Sequence, residues 1–164
     1  LFQAINPRLC QADTDKPESQ SDVKLFGQIF FNMGRQSPVG WAEIIAHELG
    51  HHYLFVSYAA FHKKVKAPWE QLVHSEIRNE QRPLIGVMHA VIAETCMILL
   101  ASKILSDSSL SERHDDARSL LVRQCNNILI DYETANKFDV FKMDASLSRL
   151  VADAISIAKS GEGI

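Results

Sequence analysis

His47-Glu48-Leu49-Gly50-His51 sets two imidazoles four residues apart. On an α-helix that spacing stacks both rings on one face, near enough to grip a single metal ion. Imidazole suits iron and zinc alike, so the pair implies a divalent metal without choosing between them. Glu48 projects beside the two rings, where a carboxylate could take a proton from a metal-bound water. The plainer alternative is a pair of helix histidines that face core or solvent with no metal between them. Two ligands hold a metal weakly, so a third must come from elsewhere in the chain, and its identity decides the chemistry.

Three candidates for that third ligand can be weighed. The metzincin continuation of a glycine and a third histidine is absent, because Leu54 and Ser57 stand in those places. Glu70 follows His51 after 18 intervening residues, a spacing that resembles the zinc aminopeptidases of the gluzincin kind. The Asn-Glu pair usual around such a ligand is missing, and a glutamate in the first turn of a helix is favoured by the dipole alone. His89 stands out instead on the stripe Ile85, Met88, His89, Ile92, Cys96 and Leu99, which is otherwise apolar. Burying an imidazole costs free energy unless its ring nitrogens find partners, and a metal or a backbone carbonyl would supply one. Glu94 on the same segment suits either an acceptor that orients a ligating imidazole or the partner of a core cation. Arg82 could clamp a carboxylate with its guanidinium fork, or simply be a surface arginine. His52, His62, His74 and His114 lie in polar or helix-end settings and read as solvated.

The elements that must position these groups follow from periodicity and punctuation. Residues 11–22 are polar without apolar periodicity and read as an exposed loop. Leu25 to Phe31 suits a strand, and Asn32 to Pro38 supplies turn chemistry, with Ser37 as N-cap and Pro38 at the first helical position. Apolar and histidine positions then recur at helical spacing from Pro38 to about Lys64. Ala67-Pro68 breaks that helix, a short amphipathic piece runs from Trp69 to about Arg78 and starts as a helix, and Pro83 opens a second long helix reaching Leu105. That stretch resembles a membrane span in length, but His89 and Glu94 make it a buried core helix. After the turn SDSSLS, Glu112 to about Asn136 and Asp144 to Lys159 read as amphipathic packing helices, with Leu120, Leu121, Ile128, Leu147, Leu150, Val151 and Ile155 inward. The expected fold is mainly α, a helical domain over 1–164 with a zincin-like HExxH helix and one small strand region.

Composition narrows the function classes. Of 164 residues, 46% are apolar and 23% charged, the balance of one soluble globular domain. A formal charge of -3 leaves no basic surplus to serve as a footprint for nucleic acid or anionic lipid, so neither is expected as a partner. Cys10, Cys96 and Cys125 have no metal-ligand or redox spacing and read as reduced thiols, which favours the cytoplasm. The N-terminus lacks the features of a signal peptide, and a chain that begins at Leu1 can be an excerpt of a longer one. Oligomeric state leaves no mark in the sequence.

Ala67-Pro68-Trp69 and the stretch Arg82-Pro83-Leu84-Ile85-Gly86-Val87-Met88-His89-Ala90-Val91 resemble the segments that follow HExxH in the 2-oxoglutarate-dependent, HExxH-type peptide β-hydroxylases of ribosomal peptide biosynthesis. Gly27-Gln28-Ile29-Phe30-Phe31-Asn32 is similar to that family's strand before the motif helix. The resemblance spans about Gly27 to Leu105. The chain departs from the pattern in extra residues between Trp69 and Arg82, and in Val91-Ile92 where the family carries an aromatic. The resemblance implies iron ligands at His47, His51 and His89, with Arg82 near the cofactor. It further implies Fe(II)- and 2-oxoglutarate-dependent hydroxylation of a side-chain β-carbon in a precursor peptide. HExxH by itself favours a different reading, a zinc peptidase in which Glu48 is the general base. A third is a metal-binding module without turnover.

Overall fold

Ser37 turns its hydroxyl back to accept a hydrogen bond from the Gly40 amide at 3.2 Å, and Pro38, which has no amide hydrogen to orphan, occupies the first helical position. Helix α1 runs from there over Pro38–Phe61 and tightens into a 3-10 turn at His62–Lys64, as the periodicity predicts. This computed structural model describes residues 19–21, 29–31 and 37–161. Ser19–Ser21 (β1) pairs antiparallel with Ile29–Phe31 (β2), Ser19 opposite Phe31. The exposed loop expected over 11–22 is therefore corrected at 19–21, and the strand expected from Leu25 is described from Ile29; the other residues of both segments, with Cys10, lie outside the described residues.

The segment after Pro68 differs from the expected amphipathic helix. Trp69 and Glu70 form a turn, and Leu72–Ser75 (β3) and Glu80–Pro83 (β4) make a hairpin with Val73 opposite Arg82. Asn79 closes the turn at φ 51°, a left-handed backbone that asparagine tolerates better than most residues. Three apolar positions, Leu72, Val73 and Ile77, are too few to separate a period of 3.6 from a period of two. In the hairpin, Val73 and Ser75 face inward while Leu72 and His74 face out.

Helix α2 (Leu84–Ser106) begins on Pro83, whose side chain offers no cap. Two of its first amide hydrogens are taken by the preceding chain, Leu84 N–H by the Gln71 carbonyl at 2.9 Å and Ile85 N–H by the Trp69 carbonyl at 3.1 Å. The hairpin and the helix start are thus one fixed unit. By length and composition α2 could cross a membrane, and most of its apolar stretch is buried against its neighbours α1, α3 (His114–Asn136) and α4 (Ala145–Ser160). Leu54, Leu84, Met88, Ile92, Ile98, Leu121, Ile128 and Leu147 are fully buried between these helices. The buried Ser57 hydroxyl donates to Asp144 at 2.7 Å, and Asp144 also caps α4 by accepting from the Ser146 amide, tying α1 to the last helix. Among the described residues the fold is mainly α, four long helices with two small antiparallel ribbons.

Gly50, inside the HExxH motif, marks the close approach of α1 to α2. A Cβ added there would stand 2.8 Å from the Ala93 Cα and 3.0 Å from the Ile92 carbonyl oxygen. Both are backbone atoms, so relief requires the helices to part. Glycine inside a helix ordinarily costs up to about 1 kcal/mol relative to alanine, and here Gly50→Ala is expected to reverse that sign. We expect a loss of about 1–3 kcal/mol, the range for overpacked cores, read as a lower urea midpoint. A midpoint that stays or rises would show that the two helices have room to spare.

Candidate metal centre

Helix α1 carries His47 and His51 on one face, and their Nε2 atoms lie 3.0 Å apart. Two ligands bonded at about 2.1 Å and at right angles would stand at nearly that separation. Helix α2 brings His89 against the same pair across 38 residues of chain, with its Nδ1 3.0 Å from the Nδ1 of His51. The three histidines singled out by type and spacing are thus neighbours in the fold. Their rings, however, form a chain and not a ring around one point, because His51 turns Nε2 to His47 and Nδ1 to His89. Among the described residues no three His, Cys, Asp or Glu side chains converge as placed on a point that could hold a metal ion. Holding one would require His51 and His89 to turn their rings so that a nitrogen of each meets the point that His47 faces.

Electrostatics favours the form a metal needs. Burial lowers all three imidazoles, His51 and His89 to about 4, helped for His51 by His47 and for His89 by His51. At neutral pH each ring is therefore uncharged and keeps one lone pair, the state in which imidazole ligates. Phe55 packs edge-on against His89, with ring centres 5.1 Å apart.

The histidines line a pocket of about 270 Å³ between α1, α2, α3 and the β3–β4 hairpin. Arg82 reaches it because cross-strand partners share a face, and Arg82 lies opposite the inward-facing Val73. Its guanidinium stands over the first turn of α2, about where a Cβ on Gly86 would meet it at 3.6 Å. The side chain is 28% exposed and its Nε is 3.6 Å from Glu80, so it is neither buried nor a free surface arginine. No family model and no curated protein matches this chain.

The other candidates separate clearly. Glu48 is 2% exposed, its Oε2 finds no hydrogen-bond partner, and it does not line the pocket. Glu70 is exposed on its turn, away from the histidines, and Glu76 sits at the hairpin tip 3.5 Å from His74. Glu94 does line the pocket, yet no cation lies within ion-pairing distance of it among the described residues. Burial pushes its carboxyl up to about 9, with Asp131 adding to the effect. His52, read from sequence as solvated, is buried at 6% exposure with Phe55 beside it. His62 donates from Nδ1 to the Tyr58 carbonyl and stacks on that ring, while His114 bonds the Asp107 carbonyl.

Sequence reasoning missed five polar pocket residues, of which Glu43 lies on α1 and pairs with Arg123 of α3. Arg78 enters from the hairpin turn that had been read as helix. Gln124, Asn127 and Asp131 enter from α3, which had been read as a packing element. They recur at intervals of three and four on the side of α3 where Leu121 and Ile128 are buried, and only the packing of α3 shows that this polar run faces inward.

Proposed function

We propose that this chain is an Fe(II)- and 2-oxoglutarate-dependent hydroxylase that oxidises a side-chain β-carbon in a ribosomal precursor peptide. The observation that carries the reading is His89. A histidine distant in sequence, and singled out by its place in an apolar helix, packs its ring nitrogen against the HExxH pair. Three neutral imidazoles with open positions beside them suit a metal that must also bind a chelating co-substrate. That metal with 2-oxoglutarate supplies oxidation of a C–H bond by O₂, with succinate and CO₂ as co-products.

The chain's own residues have definite tasks in this reading. His47, His51 and His89 hold the ion, and Phe55 packs against the His89 ring. Arg82, over the N-terminal turn of α2, offers a guanidinium fork and the positive end of a helix to a carboxylate of 2-oxoglutarate. Glu48 is buried outside the pocket and takes no direct part at the ion. A peptidase would need that carboxylate at the metal-bound water, and its burial away from the pocket weighs against the zinc reading.

The test is turnover by protein loaded anaerobically with Fe(II) and then given 2-oxoglutarate and O₂. Succinate should form even without a cognate peptide, as uncoupled turnover, and a true partner peptide should gain one oxygen atom uncleaved. Arg82→Ala should raise the 2-oxoglutarate concentration required by roughly ten- to a hundredfold, the loss of a charge-assisted pair. Peptide cleavage by zinc-loaded protein, dependent on Glu48 and indifferent to 2-oxoglutarate, would establish a peptidase instead.

A further inference from the structure

Part of the pocket wall is made of carboxyl and amide side chains. Helix α3 turns Gln124, Asn127 and Asp131 into it, and α2 contributes Glu94. Gln124 is 5%, Asp131 3% and Glu94 6% exposed, so three of the four are withdrawn from water. Oε2 of Glu94 has no hydrogen-bond partner. Burying acceptors without donors costs free energy, and a buried carboxyl pair costs more because each opposes ionisation of the other. Both carboxyl groups are held above their ordinary range, chiefly by burial. The pocket's own arginines do not supply the missing donors: among the described residues neither Arg78 nor Arg82 forms an ion pair with Glu94 or Asp131, and Arg82 leans to Glu80.

We propose that Glu94, Gln124, Asn127 and Asp131 form a subsite for a basic side chain, the ammonium of lysine or the guanidinium of arginine. Such a group carries several N–H donors on one spread charge, which matches a wall of many acceptors bearing two carboxyls. A divalent ion fits less well, because it needs several oxygen ligands converging at short range, and among the described residues no three His, Cys, Asp or Glu side chains converge in that way. That the basic group belongs to a peptide rests on the function proposed above, whereas its recognition by this wall does not. The consequence is a substrate preference: the residue presented to the histidine cluster, or its neighbour, is basic.

The test uses the metal-free full chain, so that it stands apart from the iron chemistry. Nα-acetyl amides of lysine, arginine, norleucine and glutamate are titrated against it by NMR. Lysine and arginine amides should bind in the millimolar range, roughly tenfold or more tighter than norleucine, the apolar isostere, and glutamate amide should be the weakest. The tighter of the two basic probes identifies the cation. Glu94→Gln and Asp131→Asn should each bring the basic probe down to the norleucine level, and Asn127→Asp, which adds a carboxylate, should tighten it. Should Glu94→Gln fail to fold, the two α3 variants decide the matter. Equal binding of norleucine, preference for glutamate, binding indifferent to these substitutions or no binding by any probe would overturn the subsite. Succinate formation with no basic preference would retain the oxygenase and reject this wall, and the opposite result would retain the wall and reject the oxygenase.

Discussion

His89→Ala is expected to strip the chain of metal under conditions in which Glu70→Ala leaves occupancy unchanged. His89 meets His51 at 3.0 Å across the α1–α2 interface, whereas Glu70 is exposed on a turn that does not line the pocket. Loss of even an outer residue that orients a ligand typically weakens metal binding about 10- to 100-fold, so loss of a ligand should exceed about 100-fold. The substitution also removes a partner from His51 and opens a small cavity, which costs about 1–3 kcal/mol. Occupancy should therefore be measured by metal analysis on protein whose helicity matches the parent. X-ray absorption of the loaded parent should show nitrogen scatterers at about 2.0–2.2 Å. Equal occupancy in both variants, or loss confined to the Glu70 variant, would remove His89 from the metal and restore a glutamate ligand of the peptidase kind.

How much of this was legible in the sequence depends on what each residue has to overcome. Helix α1 is over-determined, because Ser37, Pro38 and a long apolar period all point the same way, and the structure starts and ends it within a few residues of that reading. His89 was visible because an imidazole on an apolar stripe is costly and so demands a reason. The hairpin at 72–83 was not visible. Its strands are four residues each, and the pairing that stabilises them is a tertiary matter that no local window contains. Arg82 stood out in the sequence only as the residue before the helix-opening Pro83; the register opposite Val73 aims it at the pocket.

The wall on α3 was missed for a different reason. Polar residues on an amphipathic helix point to solvent by default, and Gln124, Asn127 and Asp131 look like any solvated face until burial is known. Their true position depends on how α3 rotates against α2, which the surrounding Leu120, Leu121 and Ile128 decide. A stripe of polar side chains buried by its apolar neighbours is the kind of local conflict that marks functional sites, and it becomes readable once the packing is known.

Glu94→Gln should stabilise the protein at alkaline pH and leave it nearly unchanged in acid. In the fold, burial and the neighbouring Asp131 hold the Glu94 carboxyl protonated up to about 9, while its ordinary value is 4.5. Between those limits the folded chain keeps a proton that the unfolded chain gives up, so stability falls as pH rises through the window. Glutamine carries no charge at any pH and removes that slope. Each pH unit is worth about 1.4 kcal/mol, and allowing for relaxation around the ionised group the variant should gain at least about 2 kcal/mol at pH near 8. Near pH 4 the two proteins should unfold at similar urea concentrations. Asp131, whose carboxyl is raised by burial and lowered by Arg82 and Arg78, adds a slope common to both proteins and cancels in the difference. The histidines cancel likewise, since the substitution leaves them in place. A gain independent of pH would mean that the Glu94 carboxyl is not raised by folding, and a loss at pH 8 that it is ionised and already paired. The same substitution should abolish the advantage of basic ligands, because a carboxyl kept at a cost in stability is one retained for what it binds. A saturating basic ligand would then narrow the gap between parent and variant at pH 8, since only the parent gains by binding it.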